Sequence, residues 1–208
     1  MVPENSGRLH FLRRTGDPQR RRFRRGVALL PSLFTVANLF CGYACIVYAM
    51  RGEYETAAPF IGFAIVLDML DGRIARLTGT ASDFGVEFDS LADVISFGVA
   101  PAALAFAAGL SSVLDQLALM YFAVCGLSRL ARYNITADAL ATESGKVRYF
   151  EGTPITTSVI PLVVTIVLAH RGMLFPISLG GPTFHAVSLL FVISGSLMIS
   201  KTIHVPKP

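Results

Sequence analysis

Apolar residues fill the chain in six long blocks separated by short polar or glycine-rich links. The blocks run over about Pro31–Met50, Thr56–Leu77, Val86–Gly109, Val113–Tyr133, Pro154–His170 and Thr183–Ser200. Each approaches the roughly 20 residues an α-helix needs to cross the hydrocarbon layer. The pattern predicts an all-α integral membrane protein with six transmembrane helices. Arg51–Glu55 reads as a polar turn and Gly79–Gly85 as a short link between the second and third helices. Asn134–Gly152 is the longest polar stretch, and Arg171–Pro182 is a Gly/Pro-rich turn.

Composition narrows the class further. Hydrophobic residues make up 53% of the 208 residues, charged residues 15%, and the mean hydropathy is +0.58. Soluble domains carry about 25% charged residues, so a soluble enzyme and a disordered tail are both excluded. The three cysteines, Cys41, Cys45 and Cys125, lie in apolar blocks and suggest no disulfide framework.

The charge is strongly uneven. Eight of the 18 basic residues are arginines within the first 25 positions, opposed there by Glu4 and Asp17 alone. Directly ahead of an apolar block, such a run suits anionic lipid at a cytoplasmic membrane surface better than nucleic acid. Residues 1–26 are therefore expected to be a basic, interfacial N-terminal arm, and 27–208 the six-helix transmembrane domain. Placing the N-terminus in the cytoplasm puts 16 Lys and Arg on that side and only Arg51 and Arg171 on the other. This asymmetry fixes the expected orientation, with both termini and the site inside. A bacterial or archaeal plasma membrane is the expected location.

Charged groups at membrane depth mark function. Asp68 and Asp71 are spaced to share one helix face, and Asp89 and Asp93 another. The short link lets these faces meet. Four such carboxylates outnumber the neighbouring Arg73 and Arg76, so cations are needed, and oxygen donors suit Mg²⁺ or Mn²⁺. Gly72 and Ala75 leave a hollow beside them, and Arg76 lies two turns from Asp68, placed for phosphate oxygens. Gly85 permits close helix packing. Asp93, one turn deeper than Asp89, is the expected general base.

Together these residues read Asp68-x-x-Asp71-Gly72-x-x-Ala75-Arg76, eight residues, Gly85-x-x-x-Asp89-x-x-x-Asp93. The pattern resembles the motif of the CDP-alcohol phosphotransferases. That resemblance implies a six-helix membrane enzyme, usually a homodimer, that moves a phosphatidyl-type group from a CDP-linked donor to an alcohol and releases CMP. It also implies two divalent cations among the aspartates, with Asp68, Asp71 and Asp89 as ligands and Asp93 as both ligand and base. Gly72, Arg76 and Ser82 fall where such enzymes hold the cytidine diphosphate.

The surrounding sequence resembles the phosphatidylserine synthase branch. The stretches that carry this are PSLFTVANLFCG from Pro31, Gly72–Thr80, Phe88–Ala102, Ser128–Asn134 and Phe150–Pro154. Ser32 and Thr153 depart from the residues common there. The resemblance implies CDP-diacylglycerol as donor and L-serine as acceptor. Serine is a zwitterion, so its site needs both signs of charge. Arg129, Arg132, Lys146 and Arg148 are candidates for its carboxylate or for the donor phosphate, and Glu87 for its ammonium. Tyr133 and Asn134 could orient polar groups nearby. Alternative acceptors on the same fold are glycerol phosphate, inositol phosphate and choline. A rival of another class is a divalent-cation transporter, but its acids would be expected deeper in the bilayer.

Overall fold

A computed structural model describes residues 18–78, 82–143, 149–151, 153–178, 183–200 and 204–206. Side chains are described from Leu33 onward, apart from short stretches, chiefly 136–151 and 204–206. Residues 1–17 of the basic arm, and Lys146 and Arg148, lie outside the described residues.

The chain is mainly helical. Helix α1 spans Pro18–Met50, α2 Tyr54–Thr78 and α3 Asp83–Asp93. A π-helical segment, Val94–Val99, joins α3 to α4, Ala100–Ala107. Helix α5 spans Val113–Glu143, α6 Val159–His170 and α7 Ser188–Ile199. A 3₁₀ turn, Ile155–Ser158, leads into α6. α1 lies along α2 and also touches α3, the π segment and α4, while α5 packs on α7.

Three helical stretches are long and apolar enough to cross a membrane: Leu33–Met50, Phe84–Ala107 and Val113–Ile135. α2 has the length, at 25 residues, but carries Asp68, Asp71, Arg73 and Arg76 toward its C-terminal end. Ile155–His170 and Ser188–Ile199 are shorter apolar helices. At 1.5 Å per residue, α7 is only about 18 Å long. Among the described residues, six full-length spans are thus not seen, although all six apolar blocks contain helix.

Two short antiparallel strand pairs accompany the helices. Strand β1, Tyr149–Glu151, pairs antiparallel with β4, His204–Pro206, and β2, Pro176–Ser178, pairs with β3, Thr183–His185. The second pair takes the start of the sixth block away from helix. Its Thr and Phe favour a pleated strand, and Asp115 accepts hydrogen bonds there from the His185 backbone N–H at 2.9 Å and bonds its ring Nδ1 at 2.6 Å. Other ends move outward. α5 runs to Glu143, ten residues past the expected Tyr133; Ala, Leu and Glu make up half of that extension and no Gly or Pro interrupts it. α1 begins at Pro18, a residue preorganised for a first helical position, so the boundary drawn between 26 and 27 falls inside one helix.

The core is aromatic and small-residue packing. Phe97, Phe122, Phe191, Leu104 and Met198 are wholly buried, and the Phe122 and Phe191 rings meet edge to face. Gly195 lets α7 approach α5 so closely that a Cβ there would lie 3.2 Å from Phe122 Cα. Large apolar side chains such as Phe40, Ile135 and Ile160 face outward. In water this surface would be costly, whereas lipid accepts it.

Candidate active site

Three helices build the site. α2 presents Asp68 and Asp71, α3 presents Asp89 and Asp93, and α1 packs against both. α3 starts where it does because Ser82 caps it: the Ser82 hydroxyl accepts the Gly85 N–H at 3.1 Å, satisfying a donor that helix geometry leaves free. A Cβ at Gly85 would stand 3.1 Å from that hydroxyl, so the small residue keeps the cap tight.

Carboxylate oxygens of Asp68, Asp89 and Asp93 lie within 4.8 Å of one another. Asp71 stands beside them, within hydrogen-bonding reach of Asp89, but one of its oxygens is taken by the Thr35 hydroxyl of α1. One turn further along α1, Asn38 Nδ2 donates to Asp93 Oδ1 at 3.0 Å. Thr35, Asn38, Asp71 and Asp93 are all buried. Thus the four motif aspartates converge, with Asp71 in a separate, hydroxyl-bound position.

The cluster suits a cation. Among the described residues, no ion pair forms on any of the four aspartates, and Arg73 and Arg76 are exposed. Asp89 Oδ1 is buried and has no hydrogen-bond partner among those residues. Buried carboxylate oxygens normally find donors. An unpaired one beside two further carboxylates offers the hard oxygen set that Mg²⁺ or Mn²⁺ prefers.

The other expected residues divide. Gly72 and Ala75 are half-buried beside the exposed Arg76, whose Nη1 would stand 3.8 Å from a Cβ on Gly72. Asn134 Nδ2 donates to Glu87 Oε2 at 3.1 Å and to Ser90 Oγ at 3.0 Å, so Glu87 is joined to α5 through an amide rather than to an arginine. Arg129 lies within electrostatic reach of Asp93, and its Nε is buried without a partner among the described residues. Arg132 instead donates from Nη1 to the Ile199 carbonyl at 3.1 Å, holding the end of α7.

Sequence reasoning passed over Thr35, Asn38, Ser90 and Ser96. The signal was present for the first two: polar residues three apart within an apolar block share a helix face, and at membrane depth such a face needs partners.

The sequence pattern of the CDP-alcohol phosphatidyltransferase family matches residues 28–197. A Saccharomyces cerevisiae protein named CDP-diacylglycerol–serine O-phosphatidyltransferase is 40% identical over 190 residues, covering 84% of this chain and 69% of its own. A Helicobacter pylori protein of the same name is 38% identical over 174 residues, covering 83% of this chain and 70% of its own. A Bacillus subtilis protein of that name is 34% identical over 125 residues, covering 59% of this chain and 71% of its own.

Proposed function

The chain belongs to the CDP-alcohol phosphatidyltransferase family, and from that premise we propose that it transfers a phosphatidyl group from CDP-diacylglycerol to the hydroxyl of L-serine. The products are phosphatidylserine and CMP. The activity is the one for which relatives from yeast and bacteria are named. The observation that carries the reading to particular atoms is the convergence of Asp68, Asp89 and Asp93 within 4.8 Å.

In this reading Asp68, Asp71, Asp89 and Asp93 hold two divalent cations, Mg²⁺ or Mn²⁺. Cations held there would supply neutralisation of charge on the pyrophosphate and on the departing CMP. Gly72 and Ala75 leave room for the donor head, and Arg76 and Ser82 flank it. Asp93 accepts the proton of the serine hydroxyl. That oxygen attacks the lipid-side phosphorus, and the bond from this phosphorus to the bridging oxygen breaks, so the bridging oxygen leaves with CMP. The unpaired Arg129 Nε supports a carboxylate contact next to Asp93. Glu87, steadied by Asn134, supplies the opposite charge for the ammonium group.

The same reading has six apolar segments in the bilayer, site and termini in the cytoplasm, the basic arm of 1–26 on anionic lipid, and two chains in a homodimer. An acceptor panel tests the function. Purified protein with CDP-diacylglycerol and Mn²⁺ is given serine, glycerol phosphate, inositol phosphate or choline, and lipid products are identified by mass spectrometry. Phosphatidylserine should predominate; a different phospholipid, with none from serine, overturns the proposal.

A further inference from the structure

We infer that Asn38 is a positioning residue for the reaction: its side-chain amide fixes the rotation of the Asp93 carboxyl, so that the oxygen opposite the amide faces the acceptor hydroxyl. The inference rests on the assignment of Asp93 as base given above.

Three observations carry it. The first is the contact itself: Asn38 Nδ2 donates to Asp93 Oδ1 at 3.0 Å, with Asn38 wholly enclosed. An amide N–H does not surrender its proton under physiological conditions. It can therefore hold one carboxylate oxygen without competing for the proton that the other must accept. A Lys or Arg at this position would add charge, and a hydroxyl could rotate away; an amide does neither.

The second is the seat. Ser96 Oγ donates to the Asn38 main-chain carbonyl at 3.0 Å, clamping α1 to the π segment. Gly42 makes this crossing possible, since a Cβ there would lie 2.8 Å from Ser96 Cα. The π segment starts at Val94, immediately after Asp93. Such segments insert an extra residue into a helical turn and recur at functional sites. Here the π segment carries Ser96, three residues after the base, and its bond to the Asn38 carbonyl ties α1 to the chain that continues from Asp93.

The third is what the protein forgoes. Asn38 Oδ1 is buried with no partner among the described residues. A buried amide oxygen left unpaired is unfavourable, whereas a leucine would fill a similar volume without that penalty. Packing alone gives no reason for an amide at this position. Its bond to Asp93 does.

The test compares Asn38→Leu, Asn38→Gln and Asp93→Asn in the full chain, in detergent with CDP-diacylglycerol, serine and Mn²⁺. Four quantities are read: kcat, KM for serine, Mn²⁺ binding by electron paramagnetic resonance without substrate, and thermal unfolding. Asn38→Leu should lower kcat 10- to 100-fold while KM for serine and Mn²⁺ affinity each change less than threefold. Asn38→Gln, which keeps the donor, should recover part of the lost kcat. If Asn38→Leu does not fold, Ser96→Ala replaces it and should lower kcat several-fold with Mn²⁺ binding retained. Undiminished kcat in the folded variant, or a fall in Mn²⁺ affinity matching the fall in kcat, overturns the inference. Active Asp93→Asn protein would instead remove the base assignment on which it rests.

Discussion

Asp89→Asn separates a metal centre from a merely acidic pocket. Oxygens of Asp68, Asp89 and Asp93 are no more than 4.8 Å apart. With an effective dielectric constant of about 20, each pair of charges at that separation repels by about 3.5 kcal/mol. Three pairs come to roughly 10 kcal/mol, and Asp89→Asn removes two of them, roughly 7 kcal/mol. Relaxation and proton uptake absorb much of this. If a third survives, roughly 2 kcal/mol remains, equivalent to about 4–8 °C in unfolding temperature for a chain of this size. The assay is thermal unfolding in detergent, with EDTA or with saturating Mn²⁺. In EDTA, Asp89→Asn should melt several degrees above the unsubstituted chain. In Mn²⁺ the order should reverse, because the unsubstituted chain gains binding energy that the variant has lost. A variant that melts lower by the same amount in both conditions would refute the electrostatic reasoning, since Asp89 would then be acting only through packing.

Other outcomes follow from the same geometry. Asp93→Asn should reduce turnover about 100-fold or more while CDP-diacylglycerol binding, followed by calorimetry, largely survives. Arg129→Ala should raise KM for serine much more than KM for the lipid donor, as steady-state kinetics would show. Asp115→Ala removes the acceptor of bonds from Ser112 and His185 at 2.7 and 2.6 Å and should cost about 2–4 kcal/mol, read as a lower unfolding temperature. Its kcat per folded molecule should hold, because Asp115 lies about 20 Å along α5 from Arg129. Gly195→Leu should overpack the α5–α7 contact and destabilise the chain by about 1–3 kcal/mol, measurable in the same unfolding assay.

The convergence of four aspartates was legible because charge at membrane depth is conspicuous and the spacing within each pair is local. The position of Asp71 was not, since it depends on a hydroxyl from another helix 36 residues away in sequence. Thr35 and Asn38 look like minor interruptions of an apolar block until α1 is laid across α2 and α3. The π segment was equally hidden: Val94–Val99 reads as ordinary helix, and the close crossing of Gly42 over Ser96 within it is a contact between helices far apart in sequence. Block ends shifted for nearer reasons. Favourable helix formers carried α5 beyond Tyr133, whereas pairing with β2 and the grip of Asp115 on His185 kept Thr183–His185 out of α7. Periodicity reports which residues avoid water; it does not report which polar side chains meet across helices.

The most direct measurement follows the serine hydroxyl oxygen. Purified protein with CDP-diacylglycerol, Mn²⁺ and serine labelled with ¹⁸O at the hydroxyl should yield phosphatidylserine carrying the label and CMP carrying none, and EDTA should stop both products. CMP released without serine, or phosphatidylserine lacking the label, would contradict direct attack by the serine hydroxyl on the lipid-side phosphorus.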